Sequence, residues 1–154
     1  MTFYVLALLI GVIAGLRAMT APALVSWLAY HGGLDLNGTW LSFLGNFWVH
    51  LITAILAIVE LITDQLPSTP SRKVPVQFGA RIVMGAVAGG AIGAANGSLV
   101  VGAILGIIGA VIGTYGGAAL RARLASAFGK DRPAALVEDL IAIGGAVLIG
   151  LSLQ

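Results

Sequence analysis

The chain has no cysteine. Disulfide stapling and thiolate chemistry, nucleophilic or metal-ligating, are therefore excluded. Charge is scarce as well: only 9% of the 154 residues are Asp, Glu, Lys or Arg, against roughly 25% in an ordinary soluble domain. So few charges cannot clothe a water-soluble globule of this size. The 59% hydrophobic content and the mean hydropathy of +1.05 name lipid as the medium the surface meets. Catalytic signatures are lacking too. There is no HExxH, no GxSxG, no Walker loop and no strand-flanked GxGxxG, and the two histidines fall in different segments. The expectation is a protein that is not an enzyme and that holds no metal and no cofactor. No Lys or Arg precedes the first apolar run, so the basic start of a cleaved signal peptide is missing.

Five apolar stretches are present, at 3–30, 40–62, 78–95, 99–120 and 134–153. A straight helix needs about 20 apolar residues to cross a bilayer, so the expected fold is an all-α membrane bundle of about five spans in one domain, 1–154. The first stretch is too long for a straight span. It is interrupted by Gly15, Arg17, Thr20 and Pro22, which predicts a tilted or locally broken helix. Segment 31–39 (HGGLDLNGT) is turn-rich, and 63–77 holds Pro67, Pro70 and Pro75, which favour extended backbone.

The net charge of +2 and the pI near 9.4 do not indicate nucleic acid, because the basic residues sit in inter-helix loops. With alternating sides, Arg72, Lys73, Arg81, Arg121, Arg123, Lys130 and Arg132 share one face. The positive-inside rule makes that face cytoplasmic, with the N-terminus inside and the C-terminus outside. Phe3 and Tyr4 then mark the inner interface, and Trp27, Tyr30 and Trp40 the outer one.

Glycine recurs at four-residue spacing: Gly85, Gly89 and Gly93; Gly102 and Gly106; Gly109, Gly113 and Gly117; with Ala7, Gly11 and Gly15 in the first stretch. Residues four apart share a helix face, and a face without side chains lets lipid-embedded helices approach closely. A tight glycine-zipper hairpin of the third and fourth spans is expected. A homo-oligomer packed through glycine faces is expected as well.

Arg17 falls halfway between the two aromatic belts, near the expected midplane. A charge there costs at least ~2.5–3.5 kcal/mol on insertion scales and faces protein or water. Asn46 and His50, four apart on the second span, and Thr20 are the candidate companions of Arg17 in a solute- or ion-binding patch. The plainer alternative is a set of inter-helix hydrogen bonds. Glu60, Asp64, Arg72, Arg81, Arg121, Glu138 and Asp139 fall at the cytoplasmic ends of the spans. They form either an ion-pair collar or an inner gate whose carboxylates take protons or cations.

The segment GLRAMTAPA around Arg17 resembles a signature of a bacterial membrane-protein family, domain of unknown function 4126. DQLPSTPSR from Asp64, GARI around Arg81 and EDLIAIGG from Glu138 resemble its other blocks. The resemblance covers nearly the whole chain. It implies a bacterial inner membrane and no particular activity. A weaker similarity, to small fluoride channels, rests on an Arg in a Gly-rich first helix; their Phe- and Thr-rich third-helix pattern is missing here.

Two functions are carried forward. The first is a small transporter or channel for an anionic or polar solute, with Arg17 as its site and the charged cluster as its gate. The second is a non-transporting scaffold or lipid-interacting subunit whose polar residues are structural. The partners expected are the bilayer, further copies of the chain and a small solute or ion.

Overall fold

The first apolar stretch folds back on itself. In the structure, a computed structural model that describes residues 2–66 and 73–154, α1 (Thr2–Leu16) stops at Leu16 and α2 (Thr20–Tyr30) starts three residues later. The two helices are antiparallel. The expected single span, tilted or broken, is thus a helical hairpin with Arg17, Ala18 and Met19 at its tip. At 1.5 Å per residue α1 is roughly 22 Å long and α2 roughly 16 Å, and each is shorter than the ~30 Å hydrocarbon core. Pro22 is tolerated because it lies in the first turn of α2, where backbone N–H groups lack an intrahelical acceptor. The far end of α2 closes with Gly33 N donating to Leu28 O (2.8 Å) and Gly32 N to Ala29 O (3.4 Å). Gly32 takes φ +80° there, a conformation that costs glycine nothing.

The second stretch is helical only from Phe47. Trp40–Gly45 forms a 3-10 turn, and α3 (Phe47–Thr63) follows it. Asn46 caps α3, its side-chain oxygen accepting from Trp48 N at 2.8 Å. Then come α4 (Pro75–Ala95), with proline at the favoured first position, α5 (Leu99–Phe128) and α6 (Asp131–Leu153). Most of the expected basic loop at 121–133 is helical, as the last turns of α5 and the first of α6. Among the described residues the fold is therefore six α-helices and one 3-10 turn, with no strand.

Glycine sets the packing. α4 and α5 run antiparallel with their backbones in contact: a Cβ added at Gly85 would lie 2.6 Å from Gly106 O, and one at Gly89 2.7 Å from Gly106 Cα. α1 packs against both α4 and α5 and runs parallel to α5, where a Cβ on Gly15 would stand 2.5 Å from Thr114 N. α6 runs antiparallel to α1, with Gly145 against Ile13, and α2 lies beside it, with Leu24 against Gly150. The glycine faces at Gly11, Gly15, Gly85, Gly89, Gly102 and Gly106 are thus used inside the chain.

Thr2 and Phe3 share a cleft with Leu34, Asn96, Ser152 and Leu153. Both ends of the described chain lie at one end of the bundle, contrary to the expectation of termini on opposite sides. Phe3 and Tyr4 likewise stand at the same end as Trp27 and Tyr30. The reason is the hairpin, which returns the chain to its starting level before α3 begins. Outward faces are apolar, among them Ile52, Ile55 and Ile58 on α3, Ile104 and Ile112 on α5, and Leu140 and Leu148 on α6. α4, α5 and α6 are each long and apolar enough to cross a membrane. Long apolar helices with apolar outer faces are the build of a membrane protein.

Candidate functional site

The hairpin tip is buried in charge. Arg17 is 0% exposed. Its Nε donates to Asp139 Oδ1 at 2.6 Å, and its Nη2 pairs with the same oxygen. Nη1 donates to Leu16 O at 2.9 Å and lies 3.0 Å from Asp64 Oδ2 and 3.4 Å from Glu138 Oε1. One guanidinium thus joins the end of α1 to the end of α3 and the second turn of α6. Its planar fork of donors suits this role as a single ammonium would not.

Glu60, in the last turn of α3, takes the two N–H groups that the break exposes. Its carboxylate oxygens accept from Ala18 N and Met19 N, both at 2.8 Å. Helix starts leave such donors without partners and favour negative charge nearby. Here the anion comes from another helix. Arg81, from α4, donates through Nη1 to Gly15 O at 2.9 Å and holds its Nη2 4.0 Å from Glu60. Arg121, from α5, donates to Asp64 O at 3.1 Å and to both oxygens of Asp131, and stands 3.7 Å from Glu138. Gln65 completes the group by donating to Asp139 Oδ2 at 2.8 Å.

The structure therefore gathers Arg17, Glu60, Asp64, Arg81, Arg121, Glu138 and Asp139 into one cluster. Arg72 lies outside the described residues. Arg17 is the correction: it belongs to this cluster and has no part in a patch with Asn46 and His50. The second stretch does not become helical until Phe47, so Asn46 is a cap and shares no helix face with His50. His50 stacks on Tyr30 near the opposite end of the bundle, with ring centres 5.0 Å apart. Thr20 opens α2, one turn from Arg17. Arg123 is exposed on α5 and outside the cluster. Gln65 and Asp131 are members that sequence reasoning missed. Nothing in the spacing of either marks it, although Gln65 directly follows Asp64.

Glu60→Ala should leave two buried N–H donors without acceptors, at about 1–3 kcal/mol for each such group. Hydrogen exchange of the segment around Ala18 and Met19 should accelerate in that variant while the α4–α5 pair stays protected. Unchanged exchange at the tip would show that Glu60 does not hold it.

The chemistry available is that of acids and guanidiniums in a water-poor interior. Buried acids and guanidiniums of this kind hold one another in place, so the loss of any one partner alters what holds the hairpin tip. A family model described as Domain of unknown function (DUF4126) matches residues 4–151, and the chain belongs to that family. No curated protein and no solved structure matches the chain.

Proposed function

We propose that this member of a family without an assigned activity is a small transport protein or channel of the bacterial inner membrane. In this reading α3 to α6 cross the bilayer and α1–α2 enters as a re-entrant hairpin. Irregular backbone at membrane depth is tolerated where it is buried in protein or lines a water-filled cavity. The basic residues at the cluster end put that end in the cytoplasm, and both described termini outside. The observation that carries the proposal is the helix break at 17–19, its N–H groups and its arginine gripped by carboxylates from α3 and α6. Broken helices with ionisable groups are the usual site-forming device of transporters.

The cargo follows from the same contacts. An anion at Arg17 has to displace Asp64 or Asp139, whereas a proton or a small cation joins the carboxylates already there. The anionic solute suggested by Arg17 alone thus gives way to a proton or small cation, with the charged cluster as both site and inner gate. Thr20 sits beside this pathway; Asn46 and His50 lie away from it. A homo-oligomer remains part of the proposal, with contacts through outward small residues such as Gly116 on α5 and Gly144 on α6, where an added Cβ meets none of the described residues.

The alternative is a scaffold or lipid-interacting subunit. The complete burial of Arg17 favours it, since a buried ion-pair network also serves as a clasp. Flux from liposomes separates the two. Protons, Na+ and K+ should leave wild-type vesicles at least tenfold faster than empty ones, and Asp139→Asn should abolish the difference. Folded wild-type protein that passes none of these ions would remove the transport reading and leave the clasp.

A further inference from the structure

The chain's two histidines, separated in sequence, meet at the end of the bundle opposite the charge cluster. Their ring centres are 5.7 Å apart and their planes nearly perpendicular. His31 lies just past the end of α2 and is exposed. Its Nδ1 is 2.9 Å from Trp27 O. A carbonyl only accepts, so Nδ1 carries the proton and Nε2 keeps its lone pair. Metal-binding histidines are commonly arranged in this way, with the outer nitrogen tied to a backbone oxygen. His50 is held flat against Tyr30, with 9° between the rings. Its Nδ1 is buried and has no hydrogen-bond partner among the described residues.

We propose that His31 and His50 form a binding site for a divalent transition-metal ion, with Cu2+ preferred over Zn2+ and Ni2+ by the usual affinity order. The reach is right. A metal–nitrogen bond of about 2.0–2.1 Å puts the ion about 3.2 Å from each ring centre, so two rings on one ion stand at most about 6.4 Å apart. The observed 5.7 Å is within that limit. With Nδ1 of His31 kept on Trp27 O, its Nε2 is the ligating atom, and the broad χ2 torsion of histidine lets the His50 ring turn off Tyr30 to meet the ion. Among the described residues no group of three or more His, Cys, Asp or Glu side chains is placed to hold a metal. Two imidazoles therefore supply the protein ligands, and water fills the other positions. Such a site is open and exchanging, unlike a closed structural one.

The test is a Cu2+ titration of untagged protein in nanodiscs, followed by electron paramagnetic resonance. Wild-type protein should bind one ion per chain, with coupling to two imidazole nitrogens. His31→Ala, a change at an exposed position, should leave one nitrogen and weaken binding at least tenfold. His50→Gln should do the same, with helicity by circular dichroism showing that the fold is kept. No other residue in the chain carries an imidazole, so the nitrogen count reports this site alone. Wild-type protein that binds Cu2+ no more tightly than His31→Ala, or that shows fewer than two imidazole nitrogens, overturns the proposal.

Discussion

Arg17→Ala should lower the unfolding free energy by about 3–5 kcal/mol, the usual cost of removing one partner from a buried ion pair. The loss is large because Asp64, Glu138 and Asp139 all face that guanidinium and lose it together. Leu16 O loses a donor as well. Denaturant titration in detergent micelles measures the change. Arg17→Lys should recover little, since a compact ammonium cannot bond Asp139 side-on while reaching Asp64. Adding Asp139→Asn to Arg17→Ala should restore part of the loss, because one of the stranded charges is removed and the two residues are directly coupled. An Arg17→Ala variant within about 1 kcal/mol of wild type would mean that the cluster does not hold the break.

Gly106→Val should be more damaging still. Gly106 lies where α5 is pinched between α1 and α4. A Cβ there would press on Gly85 O, stand 2.8 Å from Gly85 C and 3.1 Å from Gly89 Cα, and every one of these atoms is backbone. Side chains can rotate away from an intruder, but these atoms can yield only if the helices part. The expected penalty exceeds the ~1–3 kcal/mol of ordinary overpacking, and the variant should yield little monodisperse protein on size exclusion. Gly116→Ala is the control on the same helix. None of the described residues lies within 4 Å of its added methyl group, and alanine is favoured over glycine in a helix by up to ~1 kcal/mol. Equal yields of the two variants would contradict the backbone contact.

Composition and apolar length made the membrane character and the long helices α4, α5 and α6 legible in the sequence. The fold-back at Arg17 was not legible, for a physical reason. An apolar run such as 3–30 satisfies one tilted span and two short antiparallel helices equally well, because both bury or expose the same kinds of side chain. Counting depth from Phe3 and Tyr4 to Trp27 and Tyr30 assumed that these marked opposite interfaces; in the hairpin they mark the same one. The same assumption tied Arg17 to Asn46 and His50. By contrast, Glu60, Asp64, Arg81, Arg121, Glu138 and Asp139 were placed at one level simply because helices must alternate in direction, and that rule survives an error in the first span. The meeting of His31 and His50 was hidden as well, since it depends on where α2 ends and α3 begins.

The hairpin tip also has a consequence for biogenesis. Chains emerge from the ribosome N-terminus first, so Arg17 is made early while Glu138 and Asp139 come near the end. Until α6 is made, the tip therefore carries a cation that lacks two of its three carboxylate partners. A long arginine stem can meanwhile keep its head at the bilayer surface. Full pairing of the hairpin tip thus waits for α6. A nascent or truncated chain differs from a finished one by an unseated basic loop, a chemical mark of incompleteness that a membrane quality-control protease has the means to recognise.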